Sequence, residues 1–352
     1  MSENGSQADW IKSIHLKYFT AFEDISIEFS PGINFIIGEN GTGKTHLLKV
    51  MYVIGHTENK HHLELSDYFF SYPLNTWNMV NSSSSSRSAH INIRTGTGRE
   101  RRVDLRDDGR SESGIGYGHS SGDTGTLWSS NGVSKSSVYI PAKELLSHNK
   151  GFIANTEKRF LYFEKSYRDV LINANVSPLR ENKDWQKQLK SQIENYIGGD
   201  VVESDEIFFI ATENGPLEFT LVAEGHRKLA LYWLLLNNGM LDEGTILFID
   251  EPEANLNPKL MGFMVDLLLE LQRNGVQIFV ASHSMVMMQA LEQKKQQQDK
   301  LLFHLLYRNS DQNNRICHDS ESSFLLLQEN PIMEAYNDLS DTELKRFADK
   351  LR

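Results

Sequence analysis

One stretch of eight residues constrains the fold of this chain more than any other, the sequence GENGTGKT at residues 38–45. Residues 32–37 before it have the β-branched and aromatic composition of a short buried strand, and the apolar residues after it recur at helical spacing up to Ile54. A strand, a glycine-rich turn and a helix allow successive backbone N–H groups and a helix N-terminus to face a phosphate chain. The sequence therefore predicts a phosphate-binding loop for a nucleoside triphosphate.

The residues of this loop have separate roles in such a site. Gly38, Gly41 and Gly43 permit backbone angles and close approaches that a side chain would block. Lys44 is placed to reach the β- and γ-phosphates, and Thr45 is placed to offer its hydroxyl to Mg²⁺. The other residues expected to line the nucleotide from this segment are Asn40, Thr42 and His46.

Composition narrows the class of protein. Hydrophobic residues make up 39% and charged residues 24% of the 352 residues, which suits a globular chain with a substantial core. The net charge of −11 disfavours charge-driven nucleic-acid binding by the chain as a whole. The single cysteine excludes an internal disulfide and fits a reducing compartment. Without a signal-like N-terminus or a membrane-length apolar run, we expect a cytoplasmic protein with no membrane partner.

A second apolar strand supplies the carboxylates that a phosphate-binding loop needs for hydrolysis. Residues 246–249 are all apolar and are followed at once by Asp250 and Glu251. Asp250 is placed to hold Mg²⁺ through its water shell, so Thr45 and Asp250 are the predicted metal-binding pair. Glu251 lies just past the strand end, where it could polarise an attacking water.

Two segments carry a family resemblance. Residues 250–258, DEPEANLNP, resemble the Walker B and D-loop segment of ABC-type ATPases, and more narrowly that of the SMC, RecF and OLD-like branch. Asn257 stands where that branch usually has His. Residues 280–284, VASHS, resemble the switch segment of the same branch, which implies that His283 is positioned for the γ-phosphate. The resemblance implies that the bound nucleotide is ATP with Mg²⁺.

The family also needs a signature segment, which one subunit of a dimer offers to the nucleotide of the other. The candidate is residues 221–229, where Glu224 and Gly225 open a helix whose N-terminus could meet a γ-phosphate. Ala223 occupies the place of the usual phosphate-bonding serine. The family also has a loop that supplies a glutamine to the ATP site, and no segment of this sequence matches it clearly. Lys143 or Glu144 could take the role of that glutamine. Alternatively, the segment has only a structural role, in which Pro141 ends the preceding strand.

The alternation of strands and helices predicts an α/β fold of the P-loop NTPase type, an ABC-ATPase-like head with a mixed β-sheet, a helical subdomain and a β-rich insertion. Residues 1–55 and 138–352 would form a discontinuous ATPase domain, with helices near 154–174 and 182–197. Residues 56–137 would form a Ser-, Gly- and Arg-rich insertion that the sheet does not need, with hairpin strands near 89–93 and 102–105. We expect the chain to end in an amphipathic helix at 341–351.

The resemblance implies an ATP-binding and ATP-hydrolysing enzyme that forms a homodimer, or a higher homo-oligomer, around ATP. With no second catalytic constellation in the sequence, we expect it to regulate a separate effector, a nuclease or toxin, in bacterial antiviral defence or toxin control. One alternative is a DNA-maintenance ATPase of the RecF or SMC type, which a basic face from the arginines at 87–110 would favour. A transporter nucleotide-binding subunit and a metabolic P-loop kinase fit the motifs less well.

Overall fold

The computed structural model describes residues 9–56, 65–69, 79–106, 137–159, 163–328 and 330–350. The strands within these residues are β1 (Ile11–Phe19), β2 (Phe22–Glu28), β3 (Ile33–Gly38), β4 (Ser88–Thr95), β5 (Glu100–Arg106), β6 (Ser137–Ile140), β7 (Asp200–Ser204), β8 (Ile207–Thr212), β9 (Gly215–Glu218), β10 (Ile246–Asp250), β11 (Gln277–Ser282), β12 (Leu301–Asn309) and β13 (Arg315–Glu321). The helices are α1 (Lys44–His56), α2 (Ser66–Phe69), α3 (Phe152–Arg159), α4 (Lys165–Ala174), α5 (Asp184–Ile197), α6 (Glu224–Asn237), α7 (Pro258–Arg273), α8 (Met285–Lys294) and α9 (Pro331–Lys350).

A six-stranded mixed sheet forms the centre of the molecule, in the order β13-β12-β3-β11-β10-β6. Strands β3, β11 and β10 are adjacent and parallel, and every residue in them is buried. Parallel strands covered on both faces read as continuous apolar runs, which is why they were legible in the sequence. Because their carboxyl ends meet at one edge, the segments that follow them are brought together there. The predicted mixed α/β fold is confirmed.

Helix α1 fills the space between this sheet and a second, antiparallel sheet in the order β2-β1-β4-β5. The predicted hairpin is confirmed as β4 and β5, but β4 pairs along β1, for example Ile93 with Ile14. The expectation that residues 56–137 are not needed for a sheet is therefore wrong for residues 88–106. The alternating residues of β4 are buried against the core below α1, so the hairpin is part of the fold.

The two sheets are tied together by one buried amide. The side chain of Gln277, at the start of β11, accepts from the N–H of Ile11 at 2.8 Å and donates to the carbonyls of Ile11 and Ser30, each at 2.9 Å. All these groups are buried, where an unpaired amide would be costly. The amide therefore fixes the position of β1 relative to the central sheet.

Helices α4 to α8 and a small antiparallel sheet, β7-β8-β9, cover the other face of the central sheet. The single helix predicted near 154–174 is two helices, α3 and α4, and the helix predicted near 182–197 is α5. Lys165, at the start of α4, follows Glu164, whose carboxylate pairs with Lys49 of α1 at 2.8 Å. This ion pair joins the helical side of the molecule to the helix that follows the glycine-rich loop.

The last helix departs most from expectation. It runs over Pro331–Lys350 rather than 341–351, and Asn330 accepts from the N–H groups of Ile332 and Met333 at its start. Proline at the first helical position suits an early start, because its missing N–H would be unpaired there. Most of its described residues are exposed, so it does not close against the body. None of the helices in the described ranges is long and apolar enough to cross a membrane.

Candidate active site

The glycine-rich loop lies between β3 and α1, as predicted, and two of its glycines are sterically required. Gly43 has φ +91°, and a Cβ there would lie 2.7 Å from the ring of Phe22. A Cβ on Gly38, at φ +157°, would lie 2.3 Å from the carbonyl oxygen of Leu306. Thr42 is buried and its hydroxyl donates to the carbonyl of Glu39 at 2.9 Å. Thr42 therefore holds the shape of the loop.

The ammonium of Lys44 lies inside this loop. It donates to the carbonyls of Gly38 at 2.7 Å and Glu39 at 2.9 Å, and burial holds the pKa of Lys44 below its ordinary value. An ammonium has three donors, so a third remains for a phosphate oxygen. The geometry pre-positions a positive charge where a phosphate chain would meet the N-terminus of α1.

Thr45 and Asp250 are brought together across the sheet edge. The Thr45 hydroxyl lies 3.1 Å from Oδ1 and 3.0 Å from Oδ2 of Asp250, and the Tyr139 hydroxyl donates to Oδ2 at 3.5 Å. A hydroxyl and a carboxylate are the hard oxygen ligands that Mg²⁺ prefers, with waters and phosphates completing its shell. Among the described residues there is no cluster of three or more His, Cys, Asp or Glu for a metal held by protein alone. The pair therefore fits a nucleotide-associated magnesium ion.

Burial raises the pKa of Asp250 to about 6, with the Thr45 hydrogen bond opposing that shift and the charge of Glu251 adding to it. A carboxyl whose folded pKa lies above its ordinary value of 3.8 makes the protein less stable as pH rises from about 4 to about 6. Above that range the penalty is fully present. Keeping Asp250 ionised, as Mg²⁺ binding requires, therefore lowers the folding stability of the protein.

We expect Asp250→Asn to increase the free energy of unfolding at about pH 7 by on the order of 1–3 kcal/mol, because a neutral amide carries no such penalty. The gain should shrink as pH falls below about 6 and disappear below about pH 3, where Asp250 is protonated in both states. Denaturant unfolding of both proteins across this pH range measures it. A constant difference at all pH values would show that packing, and not the buried charge, causes the change.

Glu251 and His283 follow β10 and β11 and face each other. Nδ1 of His283 lies 3.8 Å from Oε1 of Glu251, and both side chains are partly exposed, 51% and 39%. Glu251 has φ +48°, a left-handed backbone conformation that is strained for a residue with a side chain. An accessible carboxylate beside an imidazole at the edge where the loop and Asp250 meet is suited to accept a proton from a water.

Glu253, the second acidic residue of this segment, has a different environment. It is only 7% exposed, and its Oε1 accepts from the Ser282 hydroxyl at 2.7 Å and the His283 N–H at 3.1 Å. The same oxygen lies 3.7 Å from Nδ1 of His283. Because Glu253 is buried and its Oε1 is bonded to Ser282 and to the backbone of His283, it positions His283 rather than meeting a substrate.

We expect Glu253→Ala to lower kcat while leaving ATP affinity nearly unchanged, because it frees the backbone beside His283. It also leaves the buried Ser282 hydroxyl and the His283 N–H without an acceptor, at a cost of about 1–3 kcal/mol in stability. Glu253→Gln keeps one acceptor oxygen and should restore most of both losses. Steady-state kinetics and thermal unfolding of the two variants compare them. Equal losses in both variants would instead make the charge of Glu253 the required feature.

The candidate signature segment lies at the start of α6. Ala223 is the N-cap residue of α6; it is exposed and its side chain forms no capping hydrogen bond. Glu224 is the first residue of the helix. Gly225 is buried, and a Cβ on it would lie 3.1 Å from both the carbonyl of Asn255 and the side chain of Leu256. Gly225 therefore allows α6 to approach the segment after Glu251 in the same chain, and the N-cap residue Ala223 stays exposed.

Two cations of this segment are occupied within the chain. Lys228 donates to the carbonyl of Ala254 at 2.7 Å and lies 3.4 Å from that of Glu251, which holds the loop after β10. Arg227 pairs through Nε with the buried Glu144 at 2.5 Å. Glu144 also accepts from backbone N–H groups of its own turn. Lys143 and Glu144 were the two candidates to replace the glutamine that the family places near the nucleotide. In the structure, the carboxylate of Glu144 instead supports the signature segment through its pair with Arg227.

The remaining loop residues differ in accessibility. His46 packs beside Phe69, with ring centroids 5.3 Å apart, and burial, aided by the charge of Lys49, lowers its pKa to about 4. It is therefore neutral near pH 7 and adds no charge to a phosphate site. Asn40 and Gly41 are exposed, and Arg308 of β12 donates to the Gly41 carbonyl at 2.8 Å.

Sequence reasoning missed Tyr139 and Arg308 as residues that shape this site, and it considered Glu253 only as a second candidate for the catalytic base. Tyr139 was assigned only to a strand, and Arg308 lies 267 positions from the residue it contacts. The one available signal was the polar hydroxyl of a tyrosine in an otherwise apolar strand that precedes Pro141. Nothing local marks a partner that only sheet order brings near.

Two family models match this chain. A family model described as "AAA ATPase domain" matches residues 10–197, more than half of the chain. A second, described as "AAA domain, putative AbiEii toxin, Type IV TA system", matches residues 123–288.

Curated relatives match only a short stretch. The chain is 40% identical over 50 residues to the DNA replication and repair protein RecF of Streptococcus agalactiae, which is 14% of each protein. It is 37% identical over 49 residues to RecF of Limosilactobacillus reuteri, 14% of this chain and 13% of that protein. The match therefore spans a small part of the length of these relatives, and what RecF does as a whole protein does not transfer with it.

Solved structures match over most of the chain. An Smc head bound to the C-winged helix domain of ScpA has a TM-score of 0.55 at 14% identity, covering 89% of this chain and 98% of that one. An Smc head domain with an extended coiled coil, derived from Pyrococcus furiosus and bound to the C-terminal domain of ScpA, gives 0.51 at 12% identity, covering 95% and 100%. At these identities the likeness is one of fold.

Proposed function

This chain belongs to the AAA ATPase domain family, in its SMC- and RecF-like branch, and on that basis we propose that it binds ATP with Mg²⁺ and hydrolyses it between two copies of itself. The predicted resemblance to SMC and RecF ATPases is confirmed by these matches. One observation carries the proposal: the loop at Lys44, the Thr45–Asp250 pair and the Glu251–His283 pair meet at the carboxyl edge of three adjacent strands.

Each side chain has a role that its surroundings support. Lys44 binds the β- and γ-phosphates, and Thr45 and Asp250 would hold the magnesium ion, which when bound neutralises charge on those phosphates. Glu251 orients a water and takes its proton, because it is the accessible carboxylate of the segment. His283, held through its backbone by Glu253, donates to the γ-phosphate as charge moves onto it.

The second copy completes the site in this proposal. The N-terminus of α6 has no side-chain cap and carries a partial positive charge, and its N-cap residue Ala223 is exposed. Such an end attracts an anion, and the γ-phosphate bound by another copy is the anion that the family arrangement offers. ATP would then join the two copies, and its hydrolysis would separate them.

A matched pair of substitutions at Ala223 tests this arrangement. Serine and aspartate both improve the N-cap of α6, so both variants should fold at least as well as the parent. Only aspartate places a negative charge against the γ-phosphate of the other copy. In a Glu251→Gln background with ATP, we expect Ala223→Ser to remain dimeric and Ala223→Asp to lose the ATP-dependent dimer, as measured by light scattering. An ATP-dependent dimer in both variants would contradict the role of this turn.

We further propose that the ATPase regulates a separate effector protein, a nuclease or a toxin, in bacterial antiviral defence or toxin control. The match of residues 123–288 to a family described with a type IV toxin system supports this class of partner. We expect Glu251→Gln, locked with ATP, to retain such an effector in pull-downs from the native host, and Lys44→Ala to lose it. Equal retention by both variants would separate effector binding from ATP.

The predicted insertion, residues 56–137, is the candidate docking surface for the effector, because a segment that the central sheet does not need is free to bind a partner. Residues 57–64, 70–78 and 107–136 lie outside the described residues, and residues 88–106 belong to the sheet beside β1. Deleting residues 81–135 would therefore remove two strands of the fold, so that deletion does not test docking. The boundaries of the predicted insertion, like a cytoplasmic location, stay predictions.

DNA maintenance of the RecF type is the second candidate function, favoured by the short RecF match. Part of the expected basic face is paired within the hairpin, where Glu100 lies 2.9 Å from Arg102 and 3.6 Å from Arg94. Arg101 is turned inward and donates to the carbonyl of Ile54. Fluorescence anisotropy with duplex DNA at two salt concentrations discriminates the candidates, since phosphate-driven binding weakens steeply with salt.

A further inference from the structure

The antiparallel sheet β7-β8-β9 buries only one of its two faces. Successive residues of a strand point to opposite faces, and the core-facing members of β7 and β8 are Val201, Phe208 and Ile210. Their neighbours form the opposite face, where Val202 pairs with Phe209 across the strands. Antiparallel sheets commonly present polar side chains to water on such a face, but this one is mostly apolar. We name it the outer face, and its apolar members are Val202, Ile207, Phe209, Ala211 and Pro216.

The described part of the chain leaves the outer face accessible. Val202 is 42% exposed, Ala211 and Pro216 are also exposed, and Ile207 and Phe209 are partly exposed. Single exposed apolar residues are ordinary on a protein surface, whereas a contiguous group on one sheet is typical of an interaction surface. The outer face is therefore a candidate contact with a partner.

Carboxylates border the outer face. Lys190 of α5 feels the charge of Asp200, but its ammonium donates to side-chain oxygens of Asn182 and Asn237. Within the described ranges, no ion pair neutralises the carboxylates of this segment. Residues 200–218 contain no Lys or Arg and six acidic residues, Asp200, Glu203, Asp205, Glu206, Glu213 and Glu218. The border is therefore complementary to a cationic surface.

We propose that the outer face is the docking surface for a partner protein that presents apolar side chains among lysine or arginine residues. Burial of the apolar residues stabilises such a contact, and opposite charge at the border steers the partner and selects it. The same carboxylates repel nucleic acid, and a second copy of this chain carries a net charge of −11. The surface offers an alternative to the predicted insertion, part of which belongs to a sheet. That the partner is the regulated effector rests on the function proposed above.

The outer face lies beside the candidate signature segment. Strand β9 ends at Glu218, and the turn at Phe219–Leu221 leads from it to the N-cap residue Ala223. Phe208, on the buried side of the same sheet, packs on Phe219 with ring centroids 5.7 Å apart. A partner on the outer face would thus adjoin the turn that is proposed to meet the γ-phosphate of the other copy.

Photo-cross-linking from the centre of the outer face identifies what binds there. The change Phe209→p-benzoylphenylalanine replaces one aromatic side chain by another, and it is made in the Glu251→Gln chain expressed in the native host. We expect a cross-linked product with a separate protein that has a basic surface. A product with a second copy or with nucleic acid, or no product of higher mass, would overturn the proposal.

The affinity of the purified captured protein then tests the contact itself. Val202→Lys replaces an apolar residue by a cation, and lysine is tolerated on an edge strand such as β7. We expect it to raise the Kd at least about 10-fold, because it removes apolar contact and repels a basic partner. Leu339→Lys is the matched control, since it makes a similar change at a leucine of α9 that is 68% exposed, and it should bind as the parent does. Equal Kd values in the parent and Val202→Lys, or equal losses in both variants, would contradict the proposal.

A second variant tests the charge without altering any apolar contact. Asp200→Asn should raise the Kd by a smaller factor, about 3, and should weaken its dependence on salt. The Kd of the parent should itself rise with salt concentration, because the two surfaces carry opposite charge. A Kd that salt and Asp200→Asn both leave unchanged would overturn the assignment of a basic partner.

Failure of this proposal is distinguishable from failure of the proposed ATPase function. ATP binding and the ATP-dependent dimer are measured without any partner, by calorimetry and light scattering, and Val202→Lys should match the parent in both. A chain that binds ATP and dimerises but captures no basic protein overturns only the docking surface. A chain that captures the basic protein but binds no ATP overturns only the ATPase function.

Discussion

Lys44→Ala should lower ATP affinity by at least about 100-fold. The ammonium lies within the glycine-rich loop, where it meets the carbonyls of Gly38 and Glu39 and keeps a third donor for phosphate. A hydrogen bond to a charged group contributes about 1.5–3 kcal/mol, and the loss of the one to a phosphate oxygen, near the upper end of that range, accounts for that factor. The substitution also removes the cation that holds the carbonyls of Gly38 and Glu39, so the loop is less well ordered for the ligand.

Isothermal titration calorimetry with ATP and Mg²⁺ measures this loss. Lys12→Ala is the matched control, because Lys12 is exposed on β1 and its removal changes the net charge equally. We expect the control to bind ATP as the parent does. Normal affinity in Lys44→Ala would refute the assignment of residues 38–45 as the phosphate-binding loop.

Glu251→Gln should reduce the rate of ATP hydrolysis by a factor of about 10² to 10⁴ while ATP affinity stays close to that of the parent. The amide occupies the same space but accepts no proton from water. Its effect is specific because the other nearby carboxylates are committed elsewhere: Asp250 to the hydroxyls of Thr45 and Tyr139, and Glu253 to the switch backbone.

Single-turnover phosphate release, with ATP binding measured separately, distinguishes the chemical step from binding. Glu253→Gln serves as the comparison, since it makes the same chemical change two residues away and should retain most of the rate. If Glu251→Gln turns over at the parent rate, the base is another residue. If the two variants are equally slow, Glu251 has no special role, and the effect belongs to the loop as a whole.

The sequence by itself determined the parts of the protein that local pattern specifies. The spacing of residues 38–45 and the apolar runs before Asp250 and before His283 identify three buried strands, each followed by a functional segment. Parallel strands in one sheet end at one edge, so these local signals were enough to predict which segments would meet. They were also enough to predict the class of chemistry, because residue type and strand end are both visible in a single stretch of chain.

Contacts between distant segments were decided only by the tertiary structure. Tyr139 reaches Asp250, 111 positions away, because β6 and β10 are neighbours, and Glu144 meets Arg227 because α6 packs beside the turn after β6. Gly225 likewise faces the loop after β10 of its own chain because α6 packs closely against that loop.

The same holds for larger elements. Residues 88–106 look like a polar insertion in sequence, yet β4 pairs with β1, and a helix expected to close the fold projects from it as α9. Hydrophobic periodicity reports which face of an element is apolar, but not which surface covers it. The strand order of the sheets and the packing of helices on them supply that second piece of information, because they place side chains that no local pattern relates.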